Sequence, residues 1–178
     1  PKDATVTTGD ASLVALDWSD GSVTRLGPQS SMVVGEGAAR GQVVAGNSWH
    51  RVSKKGTGSY NLKLSDGTDL TTSGTRFIVD CKPEAKDCSV FVLEGKLKTA
   101  AASLTPKTWV SVSNGKASEV RQLTWADAPA SDFAQQNSKL DGKDSEDGTT
   151  LEDLCTDADP LLASMNGTFK GTLTWGES

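Results

Sequence analysis

The amino-acid sequence predicts an all-β domain of about ten short, mainly antiparallel strands in a sandwich, roll or β-solenoid-like arrangement. Three observations carry this expectation. Apolar and polar residues alternate with period two from Val14 to Leu123, as half-buried strands require. Turn signals recur roughly every 8–12 residues. With 18 glycines and 35% apolar residues in 178, the composition suits many short strands better than a few long helices.

The elements follow in order. Val14, Leu16 and Trp18 share one face of a strand, and Ser19-Asp20-Gly21-Ser22 turns the chain into Val23–Leu26. Gly27-Pro28 ends that strand and Met32–Val34 follows. The small residues from Gly35 to Gly41 read as a loop. Gln42–Ala45 and Trp49–Val52 read as two strands separated by Gly46-Asn47. Tyr60, Leu62 and Leu64 alternate cleanly, and Asp66-Gly67 is a hairpin signal leading to Asp69–Thr72. Arg76–Asp80 and Ser89–Leu93 are rich in β-branched and aromatic residues, and their continuous apolar runs predict strands covered on both faces. Glu94-Gly95 turns into Lys96–Ala100. Trp109–Val112 meets Asn114-Gly115, a type I′ signal, and pairs with Lys116–Leu123.

After Leu123 the pattern changes. One short helix is expected near Ser131, with Asp132 in its first turn where a carboxylate suits the helix dipole. Lys139–Thr150 is polar and acidic and reads as a linker. Leu151, Leu154, Leu161 and Leu162 suggest a second short helix, and Gly167–Trp175 a terminal hairpin or the first strand of a following domain. The expected organisation is a β domain over 1–122, an acidic, partly helical segment over 123–163 and the terminal β segment over 164–178.

Charge supports that division. Residues 1–122 hold 15 basic and 12 acidic residues, whereas 123–163 hold 2 and 10, so the net charge of −5 belongs to one late segment. The acidic balance argues against a nucleic-acid partner. No run approaches the roughly 18 apolar residues of a membrane span, and no signal segment opens the chain. Because residue 1 is Pro rather than Met, the sequence is expected to start after a processing or excision point, with any signal peptide or anchor removed.

Cys81 and Cys88 flank six residues between two strong strands, a spacing that predicts a disulfide closing a small loop and hence an oxidising compartment. One His and no second Cys pair leave a zinc site short of ligands. The odd Cys155 is either a buried thiol or one whose partner lies elsewhere.

Several stretches resemble FecR domains. Leu16 through Ser31 resembles the family's Asp-Gly-Ser turn and the strand after it, and Trp49-His50-Arg51-Val52 its aromatic-plus-basic strand. Gly74-Thr75-Arg76-Phe77-Ile78-Val79 is similar to its Gly-Thr-led core strand, and Val90 through Leu97, with Glu94-Gly95, to its strand–turn–strand. The resemblance covers about residues 8–122. It implies a bacterial domain outside the cytoplasmic membrane, which in the best-known members relays transporter occupancy to a sigma factor. The Cys81–Cys88 loop and the acidic tail depart from the family's pattern. Gly21, Gly74, Thr75, Phe77, Glu94 and Gly95 are read as fold signatures.

The sequence offers little chemistry. His50 is the sole imidazole and lies within a strand, so a Ser/His/Asp triad has one candidate base. In the acidic stretch Asp141–Asp159, an EF-hand register counted from Gly148 puts Lys143 first and Leu154 twelfth, so the calcium pattern fails. Asn166-Gly167-Thr168 matches a glycosylation acceptor by coincidence of composition. No enzyme, metal or cofactor is expected. Arg40, Arg51, Lys54 and Lys55 form a candidate basic edge, able to dock the chain's own acidic segment or an acidic partner. The expected function is an extracytoplasmic sensor or interaction domain that binds a ligand or protein partner at the cell surface and signals through a missing anchor. The alternative is a structural or adhesive module of a larger secreted protein.

Overall fold

Turn chemistry sets strand pairing from the first hairpin onward. Asp20 Oδ1 accepts the Ser22 N–H at 3.0 Å and Gly21 takes a left-handed φ of 82°, returning β2 (Val14–Asp17) onto β3 (Val23–Leu26). The computed structural model describes residues 3–55, 58–82, 84, 86–123 and 132–142. It contains fourteen strands among those residues.

The strands form two sheets joined through one long member, β5 (Ala39–Arg51). The first sheet runs β1 (Thr5–Thr7), β4 (Ser31–Glu36), β5, β6 (Tyr60–Lys63), β7 (Asp69–Thr72), β10 (Leu97–Lys98) and β11 (Ser103–Leu104). The second runs β2, β3, β5, β8 (Arg76–Lys82), β9 (Asp87–Glu94) and β12 (Thr108–Ser113), with β13 (Lys116–Ala117) and β14 (Arg121–Gln122) on the far side of β12. Every pairing is antiparallel except β5 with β6. The all-β architecture expected from periodicity is the fold observed, and among the described residues the last strand ends at Gln122.

Two local expectations are corrected. The small-residue stretch Gly35–Gly41 is a β4–β5 hairpin rather than a loop. A Cβ at Gly35 would lie 1.9 Å from the Ala39 carbonyl oxygen, and one at Gly41 equally close to that of Val33. The backbones approach so closely that only glycine fits. Gly46-Asn47 does not separate two strands. Gly46, at φ 75°, bends a single strand that leaves β4 and continues between β3 and β8. By contrast, Asn114 and Gly115 both have positive φ, as the type I′ signal requires.

The faces turned toward each other make the main core. Leu26, Phe77, Val79, Val90, Val92 and Val110 come from the second sheet, and Met32, Val43, Tyr60, Leu62, Leu70, Leu97 and Leu104 from the first. Cys81 and Cys88 are directly opposed in the β8–β9 pair, with Cα atoms 4.1 Å apart, and form the expected disulfide. The loop is short, so its closure removes limited chain entropy, and replacing both cysteines by Ser is expected to cost about 2–3 kcal/mol. Urea denaturation measures this as a lowered midpoint. An unchanged midpoint would mean that sheet packing alone closes the hairpin.

The single helix among the described residues, α1 (Asp132–Asp141), begins with Asp132 as expected, and Ser131 lies outside the described residues. The linker expected over Lys139–Thr150 is corrected at its start, where α1 continues through Asp141 and buries that carboxylate against the sheet. Its remainder beyond residue 142, Cys155, the second helix and the terminal hairpin lie outside the described residues.

Candidate functional site

Strand alternation places a second set of side chains on the outer face of the second sheet. Arg25, Trp49, Ile78, Phe91 and Trp109 form one cross-strand row. Arg51, Arg76 and Glu94 form the next, beside Val23. Large apolar groups here need a cover, and α1 supplies it. Trp49, Ile78, Phe91, Leu93 and Leu123 pack with Phe133 and Ala134 of the helix, and Trp109 borders them. The approach is close at Gly27, where a Cβ would stand 2.9 Å from the Phe133 ring. Phe91 and Trp109 stack with ring centroids 5.5 Å apart, and the Arg121 guanidinium lies 5.6 Å from the Trp109 centroid.

At the end of α1, the fully buried Asp141 carboxylate meets three guanidinium groups. Arg25 Nη1 donates to Oδ1 at 2.6 Å, Arg51 Nε lies 3.5 Å from the same oxygen and Arg76 Nε lies 3.9 Å from Oδ2. The Trp49 indole N–H donates to Oδ2 at 2.7 Å. A lone carboxylate in this setting would lose several kcal/mol of hydration, so the surrounding donors are what permit its burial. Arg76 also reaches Glu94, at 3.4 Å.

The four residues of the expected basic edge are not brought together. Arg51 joins the Asp141 cluster. Arg40 is buried elsewhere, ion-paired with Asp20 and held 4.9 Å over the Trp18 ring and 5.2 Å from the Tyr60 ring centroid. Burial alone would raise the Asp20 pKa, but the Ser22 N–H and the Arg40 charge hold it below the ordinary carboxylate value. Lys54 and Lys55 remain exposed after β5, and Lys54 packs against Gly74.

Gly74, Thr75 and Gly95 meet at one corner, whereas Gly21 lies apart in the β2–β3 turn, beside Ser53. A Cβ on Gly95 would lie 2.6 Å from the Gly74 carbonyl oxygen, and the Thr75 hydroxyl donates to the Lys96 carbonyl at 3.1 Å. Phe77 enters the core from this corner, and Glu94 links it to Arg76.

His50 lies in the core rather than at a surface. Its Nε2 is 2.9 Å from Ser48 Oγ, its Nδ1 is 2.8 Å from the Tyr60 hydroxyl, and its ring stacks on Phe77 at 4.5 Å. The Ser–His distance suits nucleophile activation. Ser48, His50 and Tyr60 are all shut off from solvent, however, so no substrate reaches them. Burial lowers the His50 pKa to about 3 and leaves the ring neutral. Among the described residues, no group of three His, Cys, Asp or Glu side chains is placed to hold a metal ion.

Sequence reasoning missed Arg25, Arg76, Trp49 and Asp141 as one site. The available signal was that Arg25, Trp49, Arg51 and Arg76 fall on the outward parity of their strands.

Three comparisons bear on this arrangement. A family model described as FecR protein matches residues 4–98, more than half of the chain. The match contains Arg25, Trp49, Arg51, Arg76 and Glu94 and ends before α1. Two crystal structures of a protein from Parabacteroides distasonis ATCC 8503, described as a candidate anti-sigma factor, share the fold. They superpose with TM-scores of 0.56 and 0.57 at 16% identity, covering 78% of this chain. The chain spans 65% of the length of those solved chains. No curated protein sequence matches.

Proposed function

Because this chain belongs to the FecR protein family, we propose that it is a non-catalytic regulatory domain that binds a protein partner or small ligand outside the cytoplasmic membrane. The observation that carries this reading is the outer face of the second sheet, which recognises a helix through aromatic packing and a buried ion-pair cluster. Aromatic and arginine anchors around a desolvated centre are the composition of binding hot spots. The Cys81–Cys88 bridge favours an oxidising compartment, since cytosolic thiols are kept reduced. The description of the Parabacteroides distasonis structures suits a role in transcriptional signalling. In this reading residues 1–122 are the recognition body, 123–163 an acidic segment that works on it, and 164–178 a terminal β-hairpin or the first strand of a following domain. Of the four basic residues, Lys54 and Lys55 are exposed and available to an acidic partner, whereas Arg40 and Arg51 are engaged by Asp20 and Asp141.

Transcription from neighbouring promoters, with and without the coding sequence, tests the regulatory role. A changed reporter signal is the expected result, and an unchanged one would favour a structural or adhesive module. Trapping of Cys81 and Cys88 thiols in intact cells tests location, with an oxidised pair expected.

A further inference from the structure

Platform and cover are unequal on the outer face of the second sheet. The platform presents Trp49, Ile78, Phe91, Leu93 and Leu123, together with three guanidinium groups. The cover, α1, returns two apolar side chains, Phe133 and Ala134, and one carboxylate. Its ten residues fall below the length at which an isolated helix persists in water. It spends buried positions on Asn137 and Ser138, both poor helix formers, and Asn137 Oδ1 is buried with no hydrogen-bond partner. Charge is unequal too. Among the described residues, Arg25, Arg51 and Arg76 face only Asp141 and Glu94.

From this mismatch we infer that the platform is a helix-exchange site, which holds α1 as a placeholder and accepts in its place an acidic amphipathic helix of a partner protein. Phe133 and Asp141 define what that helix presents: an aromatic residue, a carboxylate eight positions later on the same face, and aliphatic side chains where α1 has Asn137 and Ser138. Such a segment rises about 12 Å along its axis, from the Phe133 position beside Gly27 to the Asp141 position at the guanidinium cluster. Recognition is of the helix-in-groove kind, with the carboxylate supplying register. The matched family region contains every platform residue except Leu123 and excludes α1, so most of the platform is separable from its cover in sequence. This inference deepens the regulatory reading and rests on it for the choice of a protein partner.

The test titrates the full chain with a fluorescein-labelled stapled peptide that carries Phe and Asp at the α1 spacing and Leu at the positions of Asn137 and Ser138. Saturable binding to the wild type is expected. Gln136 is exposed, so Gln136→Pro breaks α1 while leaving every platform side chain in place. Removing the internal competitor should tighten peptide binding roughly tenfold or more. Should that variant not fold, Asp141→Asn makes the same comparison by weakening the cover's hold. A peptide with Asn in place of Asp should bind roughly tenfold more weakly. The inference is overturned if Gln136→Pro opens the α1 amides to hydrogen exchange yet binds no peptide, or if the acid and amide peptides bind equally. It is also overturned if wild-type α1 amides exchange only with the core strands. A wild-type dimer that the peptide dissociates would assign the platform to a second copy and overturn it as well. Each of these failures leaves the transcription test untouched, so the two readings fail separately.

Discussion

Replacing Asp141 with Ala is expected to remove about 3–5 kcal/mol of stability, the usual consequence of leaving buried charges without their counter-ion. Arg25 and Arg76 are nearly shut off from solvent, and their partner in α1 is this carboxylate. The same substitution leaves the Trp49 indole N–H without its acceptor. Asp141→Asn keeps an oxygen for that bond while removing the charge, so it should fall between wild type and Ala. Urea denaturation gives the size of the loss, and hydrogen exchange its place, which should be α1 and the facing ends of β3, β5 and β8. A loss below about 1 kcal/mol, the value of an exposed pair, would mean that water already reaches the cluster.

Acidification should weaken the fold well before the carboxylates titrate. Burial holds His50 neutral, with its pKa near 3 in the folded chain against 6.5 when unfolded. Between those values the unfolded chain binds the extra proton, so stability is complete above about pH 6.5 and falls as pH drops toward 3. The slope approaches about 1.4 kcal/mol per pH unit and the full loss about 4–5 kcal/mol. Asp20 and Asp66 have lowered pKa values, and their contribution disappears only as pH falls from about 3.8 downward. Asp80, raised by burial, acts in the opposite direction. A stability profile measured from pH 7 to pH 4 therefore reports the loss from His50, opposed toward its acid end by Asp80, and the His50→Gln variant separates the two. His50→Gln should flatten it, although the variant is less stable at neutral pH because the stack on Phe77 is lost. A wild-type profile without slope over that range would mean that His50 is protonated in the folded chain.

What could be read from the sequence was local. Asp66-Gly67 and Asn114-Gly115 specify their hairpins through turn chemistry within four residues. The alternation from Tyr60 to Leu64 reports a strand with one buried face, and the short loop between Cys81 and Cys88 makes their pairing visible. What could not be read depends on residues meeting across the chain. Gly35 and Gly41 look like loop material because their role lies in how closely β4 and β5 approach. Gly46 looks like a break because glycine marks bends and ends alike, and only the partners on either side reveal a strand that continues. Arg25 and Asp141 are 116 positions apart, so nothing near either residue announces the pair. Asp141 instead reads as the first residue of a solvated acidic run. Arg40 reads as part of a surface edge because its ring contacts with Trp18 and Tyr60 join three separate strands or turns.

The continuity of β5 has a consequence for how the domain can be divided. Its first half hydrogen-bonds to β4 and β6, and its second half to β3 and β8. Neither sheet is complete without the whole strand, so no cut through residues 39–51 yields two self-sufficient fragments. Chain breaks, circular permutation or insertion of a reporter will be tolerated only at turns such as Asp66-Gly67 or Asn114-Gly115. A proteolytic nick at Gly46 should dissolve both sheets in one event rather than release one and spare the other.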